Sequence, residues 1–442
     1  MNHESRINFY VLTPTMALGF FKREIPIGLD ISDRSIEVLQ LGTKREVLAY
    51  GRIVLEEGIV RDGRILGKEK LAAKLEEVLR STKPISLYPK RFHLDVVLSL
   101  PAARTFIHLF TIRSNVTGEE IKSAVLEHFR NTIPLDPEQA HWDFQVGNPN
   151  APSPHRRKES LRGEQLVLYA GTPKEVINEY LDVLSGIPLT PIVFDIEIAS
   201  LGRAFVKQGI GPTMIVDIGA GITTVGIFGR DGTLDLSISI PVAGNHFTKA
   251  IMDELQISEE EAERAKRVFG LDSSKADNII FSILQPSVDR IIKELAGAIV
   301  HYQRTRHEEV QEIILTGGSA LLPMLAEHIG GNLARRAAIG NPFGQIKGGE
   351  LFGRKFPPTL FANVIGLSMR GSGDVSYGIN FLKSVERPLI GGPRQIEAAR
   401  LLIKKFFDRL RKSLLFGISI AAIGLLFLGF AMYAFVFRAP IE

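Results

Sequence analysis

Two parts of the sequence repeat one pattern, and this repeat limits the available folds more than any other feature. In each part an apolar run of β type ends at or beside an aspartate, Asp30 in the first and Asp217 in the second. Two further β-type runs follow each aspartate, which is the pattern of an antiparallel meander. Two similar α/β halves that present acidic hairpins to a shared cleft can hold nucleotide phosphates and a metal ion. The predicted strands are Ile25 to Ile31, Ser35 to Leu41, Val47 to Leu55, Met214 to Ile218, Thr223 to Phe228 and Leu234 to Ile240.

The length and composition of the chain agree with two or more ordered lobes. Its 442 residues exceed the size at which a single hydrophobic core stops growing. Hydrophobic residues make up 45% and charged residues 23% of the chain, which is the balance of a globular protein. The sequence has no cysteine, so a disulfide framework, thiol catalysis and cysteine-ligated metal sites are excluded.

One segment near the C-terminus is predicted to cross a membrane. The run from Leu414 to Phe437 has no charged residue, and at about 1.5 Å per helical residue it can cross roughly 30 Å of hydrocarbon. The alternative, a buried core helix, would show a polar stripe, and this run shows none. The net charge of +4 is small, and much of the excess lies between Lys404 and Lys412. This basic cluster predicts contact with a membrane surface and not with nucleic acid.

The flanking charges orient the predicted span. Arg400 to Lys412 is rich in Lys and Arg, whereas only Arg438 follows the span, so the positive-inside rule places the large body in the cytoplasm. The apolar stretch from Ala17 to Phe21 is short and is followed at once by charged residues, so no signal peptide is predicted. We therefore expect a single-pass protein of the cytoplasmic (inner) membrane.

Between the two meanders the sequence predicts helices and further β-type runs, and these suggest the division of the chain into domains. Leu71, Leu75, Val78 and Leu79 fall on one helical face, and the segment from Gly147 to Gly163 is predicted to be a solvated loop. The predicted divisions are 1–24, an N-terminal extension; 25–210, a first lobe with an inserted subdomain at about 100–190; 211–370, a second lobe; 371–413, a linker and basic helix; 414–437, the span; and 438–442, an external tail.

The hairpin from Asp217 to Thr224 is the strongest local signal of chemistry. An apolar strand ends there in a carboxylate, followed by a glycine-rich turn and two hydroxyl groups. Glycines allow the backbone to approach an anion, amides and hydroxyls bond phosphate oxygens, and the aspartate can hold Mg²⁺ through water. The alternative is an ordinary tight hairpin. The sequence has neither a P-loop motif nor the dinucleotide-binding glycine pattern after a strand.

The order of four motifs resembles the actin and sugar kinase superfamily. Gly28 to Ser32, Phe194 to Glu197, the Asp217 hairpin and Leu315 to Ser319 resemble its phosphate 1, connect 1, phosphate 2 and adenosine motifs. Within that superfamily the chain most resembles the PilM family of type IV pilus assembly proteins, which is related to FtsA. The stretches that bear this resemblance are Gly171 to Val176, Pro191 to Glu197, Pro241 to Ile251, Glu261 to Lys266, Asn341 to Phe343 and Phe361 to Arg370.

The resemblance implies an α/β, actin-like fold made of two ribonuclease H-like lobes, with ATP and Mg²⁺ as cofactors. Asp30 and Asp217 would hold the metal through water, and Glu197 would orient an attacking water. Glu197 is equally explained as a partner of a helix N-terminus, and the pair Glu263 and Lys266 as a helical ion pair. The implied phosphate-binding residues are Ser32, Asp33, Ser35, Gly219, Ala220, Gly221 and Thr223, and the implied base and ribose residues are Gly244, Glu263, Lys266, Gly317, Gly318 and Ser319.

The chain departs from the family pattern in the first phosphate motif. Ser32 stands where the family has glycine, Asp33 where it usually has Ser or Thr, and Glu37 where it often has lysine. An added side chain in the turn and acidic groups near phosphate oxygens both oppose binding. The sequence therefore predicts weak or lost ATP binding, and it leaves open whether the chain is an enzyme.

The resemblance implies a membrane-anchored scaffold of a type IV pilus or related type II secretion-like machine. Its expected partners are PilN-like and PilO-like inner-membrane proteins, the membrane itself and further copies of the chain, but not nucleic acid. The alternatives are a small-molecule kinase and an FtsA-like division protein on the same fold. A kinase needs a carboxylate base for its substrate, and the motif acids are the sole candidates in the sequence. FtsA reaches the membrane through an amphipathic surface helix, whereas Leu414 to Phe437 is apolar all round.

A short segment after the body resembles part of a partner protein. Ile379, Asn380, Phe381 and Leu382 resemble the I-N-L-L leader of PilN, the membrane partner of PilM. This resemblance implies that the chain carries in cis a peptide that another chain normally supplies. The alternative is a final edge strand of the body followed by a linker. An extended peptide that adds to a sheet edge would place Ile379 and Phe381 on one side.

Overall fold

The structure is a computed structural model, and it describes residues 25–88, 93–113, 115–147, 163–207, 209–352, 356–373 and 378–384. The predicted span at 414–437 and its basic flank lie outside the described residues. The strands are β1 Ile27–Ile31, β2 Ser35–Leu41, β3 Val47–Val54, β4 Val60–Arg61, β5 Arg64–Ile65, β6 Leu94–Leu100, β7 Phe106–Arg113, β8 Ala140–Val146, β9 Glu164–Pro173, β10 Leu189–Ile196, β11 Thr213–Ile218, β12 Thr223–Phe228, β13 Leu234–Ile240, β14 Glu312–Thr316 and β15 Arg336–Ile339. The α-helices are α1 Lys68–Ser81, α2 Gly118–Thr132, α3 Lys174–Ser185, α4 Glu197–Phe205, α5 Gly244–Leu255, α6 Glu259–Phe269, α7 Ile279–Arg306, α8 Leu325–Leu333 and α9 Ala362–Ser372.

Two five-stranded sheets have the same topology. The first has the order β10-β6-β1-β2-β3 and the second the order β13-β12-β11-β14-β15. In each sheet three antiparallel strands form a meander, and two parallel strands continue the sheet on the other side of the first strand. The repeat in the sequence is therefore a structural duplication, and each copy forms the sheet of one lobe.

The duplication extends to the register of the two acidic hairpins. Asp30 pairs with Glu37 across β1 and β2, and Asp217 pairs with Thr224 across β11 and β12. Glu37 therefore occupies in the first lobe the position that Thr224 occupies in the second. Each aspartate lies near the carboxyl end of its strand, where parallel α/β sheets place their ligands.

An inserted subdomain interrupts the first lobe. Its three-stranded antiparallel sheet has the order β7-β9-β8, and α2 covers one face with Ile121, Val125 and Phe129. This sheet and its helix occupy residues 106–173, a shorter segment than the predicted insertion at about 100–190. The chain returns to the first lobe with α3 and β10, which pack in the core of that lobe.

The last helix belongs to the first lobe, although the sequence-based division assigned residues 211–370 to the second. Val364, Ile365 and Met369 of α9 are buried in the core of the first lobe. The approach is close because a Cβ at Gly366 would overlap the backbone of Ser200 in α4. The physical reason for the difference is that the chain crosses back after the second lobe and closes the first core.

Candidate functional site

A cleft of about 640 Å³ lies between the two lobes, where β1 and β11 end. The structure brings into this cleft every residue that the resemblance implied for nucleotide or metal, apart from Thr223. These residues are Asp30, Ser32, Asp33, Ser35, Glu197, Asp217, Gly219, Ala220, Gly221, Gly244, Glu263, Lys266, Gly317, Gly318 and Ser319.

Thr223 lies behind the cleft wall. Its hydroxyl is fully buried and donates a hydrogen bond of 2.6 Å to the carbonyl of Val242. The hydroxyl therefore holds β12 to the chain before α5 and is not directed at the cavity.

Glycines let the phosphate and adenosine motifs pack closely. Gly317 has a φ of +85°, and a Cβ at this position would lie 2.5 Å from Oδ1 of Asp217. A Cβ at Gly244, the first residue of α5, would clash with Oγ of Ser319, and that hydroxyl donates to the carbonyl of Gly219 at 3.0 Å. The two turns and the N-terminus of α5 place their backbone groups side by side at the cavity wall. An anion site needs backbone groups arranged in this way.

Glu263 and Lys266 are a helical ion pair that also lines the cleft. The Lys266 ammonium donates to Oγ1 of Thr248 at 2.8 Å and to the carbonyl of Gly244 at 3.2 Å. Burial alone would raise the pKa of Glu263, but the hydrogen bond and charge of Lys266 outweigh it and lower that pKa to about 2. The pair therefore supports the first turn of α5, and both interpretations of the motif, ribose ligand and ion pair, remain compatible with the geometry.

Four carboxyl groups with raised pKa values meet in the cleft. Burial raises the pKa of Asp30 to about 6, partly offset by a 2.9 Å hydrogen bond from Asn363. Burial and then the charge of Asp30 raise the pKa of Asp217 to about 7. Burial, followed by the charges of Asp217 and Asp30, raises the pKa of Glu197 well above its usual value. These carboxyl groups are therefore stabilised either by protonation or by a bound cation.

The fourth group, Glu37, has a partner that the sequence did not predict. Burial and then the charge of Asp30 raise its pKa to about 8, while Arg52 donates to its Oε1 at 2.8 Å. Arg52 comes from β3 and also lines the cleft. The acid at the usual lysine position is therefore paired with a cation from the neighbouring strand.

The donor set fits a hydrated magnesium ion. In the part of the chain that the structure describes, no group of three or more acidic or histidine side chains is placed to hold a metal directly. Asp30 and Asp217 contribute one carboxylate each from opposite lobes, and Mg²⁺ usually keeps several waters and takes its other ligands from phosphates. These residues would therefore hold the ion through water, where its charge would offset that of the phosphates.

The first phosphate turn satisfies its own backbone groups. Oγ of Ser32 accepts a hydrogen bond of 3.1 Å from the amide of Ser35 and donates one of 3.0 Å to the Ser35 carbonyl. The amide of Arg34 lies 3.4 Å from the same hydroxyl. The serine that replaces glycine therefore uses the amides that a phosphate would bond.

Asp33 holds a neighbouring turn. Its carboxylate accepts hydrogen bonds from the amides of Asp62 at 2.8 Å and Gly63 at 3.1 Å. These two residues have positive φ values and join β4 to β5. The acidic residue in the phosphate turn thus has a structural role that spacing in the sequence did not reveal.

Two unpartnered hydroxyl groups in the cleft were also missed. Oγ1 of Thr316 and Oγ1 of Thr359 are buried without a hydrogen-bond partner among the described residues, and both residues line the cavity. Buried polar groups are normally bonded, so each is available to a ligand. Thr316 lies within the adenosine motif, whereas no local pattern distinguishes Thr359.

The segment from Gly378 to Ser384 docks on the first lobe and the inserted subdomain. Ile379 and Phe381 are fully buried in the core of the first lobe. The backbone is extended at Asn380 and then forms a short 3-10 helix at Phe381–Lys383, so a turn stands where the alternative interpretation had a final edge strand. Lys383 and the amide of Asn380 both donate to Asp143 of β8 at 2.8 Å.

Asn380 completes the open edge of β10. Its side-chain oxygen accepts from the amide of Phe194 at 3.1 Å, and its side-chain nitrogen donates to the carbonyl of Ile192 at 3.1 Å. Arg370 of α9 donates to the carbonyl of Ile379 at 2.7 Å. An asparagine side chain carries both a donor and an acceptor, so it bonds the strand edge as another strand would.

The duplicated sheets, the interlobe cleft and its motifs define an α/β protein of the actin-like ATPase fold. The family model described as type IV pilus assembly protein PilM matches residues 28–371, and the chain belongs to this family. This membership favours the scaffold over the small-molecule kinase. A solved PilM-PilN type IV pilus biogenesis complex superposes with a TM-score of 0.66 at 20% identity, over 79% of this chain and 99% of that one.

Two further proteins are more distantly similar. The cell division protein FtsA of Bacillus subtilis is 30% identical over 130 residues, which is 25% of this chain and 29% of FtsA. The chain thus matches less than a third of the length of that curated relative. MreB 5 of Spiroplasma citri, solved with AMPPNP, gives a TM-score of 0.43 at 16% identity, over 78% of this chain and 95% of that one. Among the described residues, no helix has the length and apolar character needed to cross a membrane.

Proposed function

We propose that this chain is a membrane-anchored scaffold on the cytoplasmic face of a type IV pilus or related secretion machine. The proposal places the body at the inner membrane through the span at 414–437 and assigns PilN-like and PilO-like proteins as its partners. Membership of the PilM family supports this role. The docked segment is the observation that carries the proposal furthest, because its Ile379 to Leu382 stretch resembles the PilN leader.

The docked segment supports a leader that is supplied in cis. Its two apolar side chains are buried, and Asn380 bonds the edge of β10 with both ends of its amide. The segment lies just before the predicted juxtamembrane helix and span in the sequence. A tether of this kind holds the body near the membrane and keeps its own groove occupied, since a short linker gives an effective concentration in the millimolar range.

The cleft supports weak binding of ATP with Mg²⁺. The close-packed glycine turns and the two unpartnered threonine hydroxyls favour a ligand. On the side of the first phosphate turn, Ser32 and Asp33 both accept hydrogen bonds from backbone amides, and Asp33 adds a negative charge. We assign nucleotide a structural role, with Glu197 as the residue that would orient a water if hydrolysis occurs.

Replacing Asp33 by asparagine is expected to tighten ATP binding. The two amides of Asp62 and Gly63 bond different oxygens of Asp33, so asparagine keeps an acceptor for one of them and removes a negative charge near the phosphates. The gain should be on the order of 1 kcal/mol, or about fivefold in affinity. Asp217→Ala should weaken binding, because it removes a carboxylate that holds the hydrated metal. Calorimetric titration of the full chain with ATP and Mg²⁺ measures both effects.

The same titration repeated at two pH values provides its control. The pKa of Asp217 is about 7, so its carboxylate is charged at pH 8.5 and protonated at pH 5.5. The ratio of wild-type affinity to that of Asp217→Ala should therefore shrink as the pH falls. Identical binding by all three proteins at pH 8.5 would show that the cleft is not a nucleotide site.

The membrane topology is tested by proteolysis. If the body lies in the cytoplasm, protease added to intact spheroplasts should leave it uncut, and lysis should expose it. The protease is trypsin, because the sequence from 148 to 162 and from 385 to 400 contains Arg or Lys residues at which it can cut after lysis. Cleavage of the body in intact spheroplasts would overturn the proposed orientation.

A further inference from the structure

Three charged side chains lie in a row across the first sheet, from Asp30 to the edge strand. Asp30 of β1 pairs with Glu37 of β2, and Glu37 pairs with Arg52 of β3. Side chains that are directly opposite each other on neighbouring strands lie on the same face of a sheet, and all three residues line the cleft. Neighbouring strands are about 4.8 Å apart, so the backbones of Arg52 and Asp30 are about 10 Å apart. The row therefore brings a cation to the same part of the cleft as the first phosphate turn.

The duplicated lobe shows that the fold does not require this charge pair. In the second sheet the corresponding row is Asp217, Thr224 and Ser239, because Asp217 pairs with Thr224 and Thr224 with Ser239. The side chains of Glu37 and Arg52 are only 2% and 18% exposed, and removing two charges from water is costly. The first lobe thus has a costly ion pair where its duplicate has two small neutral residues. Since the pair lines the cleft, this difference points to a ligand.

The geometry of the pair leaves most of the Arg52 donors unused. Nε of Arg52 donates to Oε1 of Glu37 at 2.8 Å. Neither terminal nitrogen, Nη1 or Nη2, has a hydrogen-bond partner among the residues that the structure describes. A guanidinium carries N–H donors on all three of its nitrogens, so the donors of both terminal nitrogens remain for a ligand.

The other cations of the cleft are already engaged. Among the described residues these are Arg34, Lys266 and Arg267. Lys266 and Arg267 both form ion pairs with Glu263. The side chain of Arg34 is 55% exposed, and each of its terminal nitrogens lies within 4 Å of a carboxylate. Arg52 is therefore the lining cation that combines burial with free donors.

We propose that Arg52 binds the phosphates of the nucleotide that are farthest from the ribose, and that Glu37 positions it. This assignment rests on the proposed nucleotide site in the cleft. The residues implied for base and ribose, from Gly244 to Ser319, all belong to the second lobe, whereas Arg52 belongs to the first. The distal phosphates are thus the part of ATP that can approach Arg52. The paired donors of a guanidinium match two oxygens of one phosphate.

Two variants isolate the arginine without leaving a buried carboxylate unpaired. Glu37→Thr copies Thr224 of the second lobe, and Glu37→Thr/Arg52→Ser copies Ser239 as well. In calorimetric titrations of the full chain with ATP and Mg²⁺, Glu37→Thr should bind about fivefold more tightly than the wild type, because a negative charge is removed. The double variant should bind ATP about tenfold more weakly than Glu37→Thr, because it loses charge-assisted hydrogen bonds. AMP lacks the distal phosphates, so its affinity for the two variants should differ by less than about twofold.

Glu37→Thr/Arg61→Ser is the matched control. Arg61 is also an arginine of the first lobe, but its side chain is 62% exposed and it does not line the cleft. This variant should bind ATP as tightly as Glu37→Thr, and thermal unfolding checks that both double variants fold. Equal ATP binding by Glu37→Thr and Glu37→Thr/Arg52→Ser, or equal losses for ATP and AMP, would refute the role of Arg52. Absence of ATP binding by both the wild type and Glu37→Thr would instead refute the nucleotide site, and this assignment with it.

Discussion

Replacing Phe381 by alanine is expected to release the segment 378–384 and open its groove to a second peptide. The Phe381 side chain is fully buried, and truncation of a buried phenylalanine costs about 3 to 5 kcal/mol. The remaining anchors, Ile379 and the two side-chain hydrogen bonds of Asn380, would then compete poorly with a free peptide. A fluorescent peptide that spans Gly378 to Arg387 should bind the full-length Phe381→Ala variant saturably and bind the wild type weakly.

Phe247→Ala provides the matched control for this experiment. Phe247 lies in α5 of the second lobe and is also fully buried, so its truncation removes a similar amount of packing from a core that does not touch the docked segment. This variant should lose thermal stability and still exclude the peptide. Equal peptide binding by wild type and Phe381→Ala, or no binding by either, would contradict a leader supplied in cis.

Strand bounds were predictable wherever turn residues delimit an apolar run. Ser35–Leu41, Thr223–Phe228 and Leu234–Ile240 have the bounds that the sequence predicts. Glycine, proline, aspartate or asparagine near their ends cannot extend a strand without cost, so the ends are marked in the sequence. The duplication of the lobes followed from these strands, because two meanders of the same form each require a sheet.

Other elements left no such signal. β10 includes Pro191 and a bulge at Ile192, so its pattern is irregular. In α9 every residue from Ala362 to Gly371 is buried, and a helix that is buried all round has no amphipathic period. The lobe boundary was misplaced for this reason, since nothing in the local pattern of α9 shows which core it joins.

The cleft was predictable as a set of motifs, but its internal contacts were not. Asn363 bonds Asp30, and Asp33 bonds the turn at Asp62 and Gly63, across long separations in the sequence. Only the folded chain brings these groups together. Asn363 does lie in the stretch that resembles the PilM family, which was the one available signal.

The helix α9 connects the cleft with the docked segment. Near its N-terminus Asn363 donates to Asp30 in the cleft, and near its C-terminus Arg370 donates to the carbonyl of Ile379. Between them, Gly366 allows the helix to lie against the backbone of Ser200 in α4. The position of this single helix therefore determines the geometry of both sites.

Replacing Gly366 by alanine is expected to destabilise the first lobe by about 3 kcal/mol or more. The new Cβ would overlap the Ser200 carbonyl, and backbone atoms on both helices cannot yield as a flexible side chain does. The helix would have to move away from α4, which would also shift Arg370. Thermal unfolding of the full chain should show a lower midpoint, and the peptide from Gly378 to Arg387 should bind this variant more readily than the wild type.

Gly297→Ala is the opposite case on another helix. Gly297 is exposed within α7, and nothing lies within 4 Å of the position of its Cβ. Because alanine is the better helix former, this substitution should stabilise the protein by about 1 kcal/mol and leave peptide binding unchanged. These two glycine-to-alanine changes in helices are thus expected to change the stability in opposite directions. The comparison separates the effect of the contact at the α4–α9 crossing from the effect of helix propensity. An unchanged midpoint for Gly366→Ala would mean that α9 can shift freely, and it would remove the basis for treating the cleft and the docked segment as positioned by one helix.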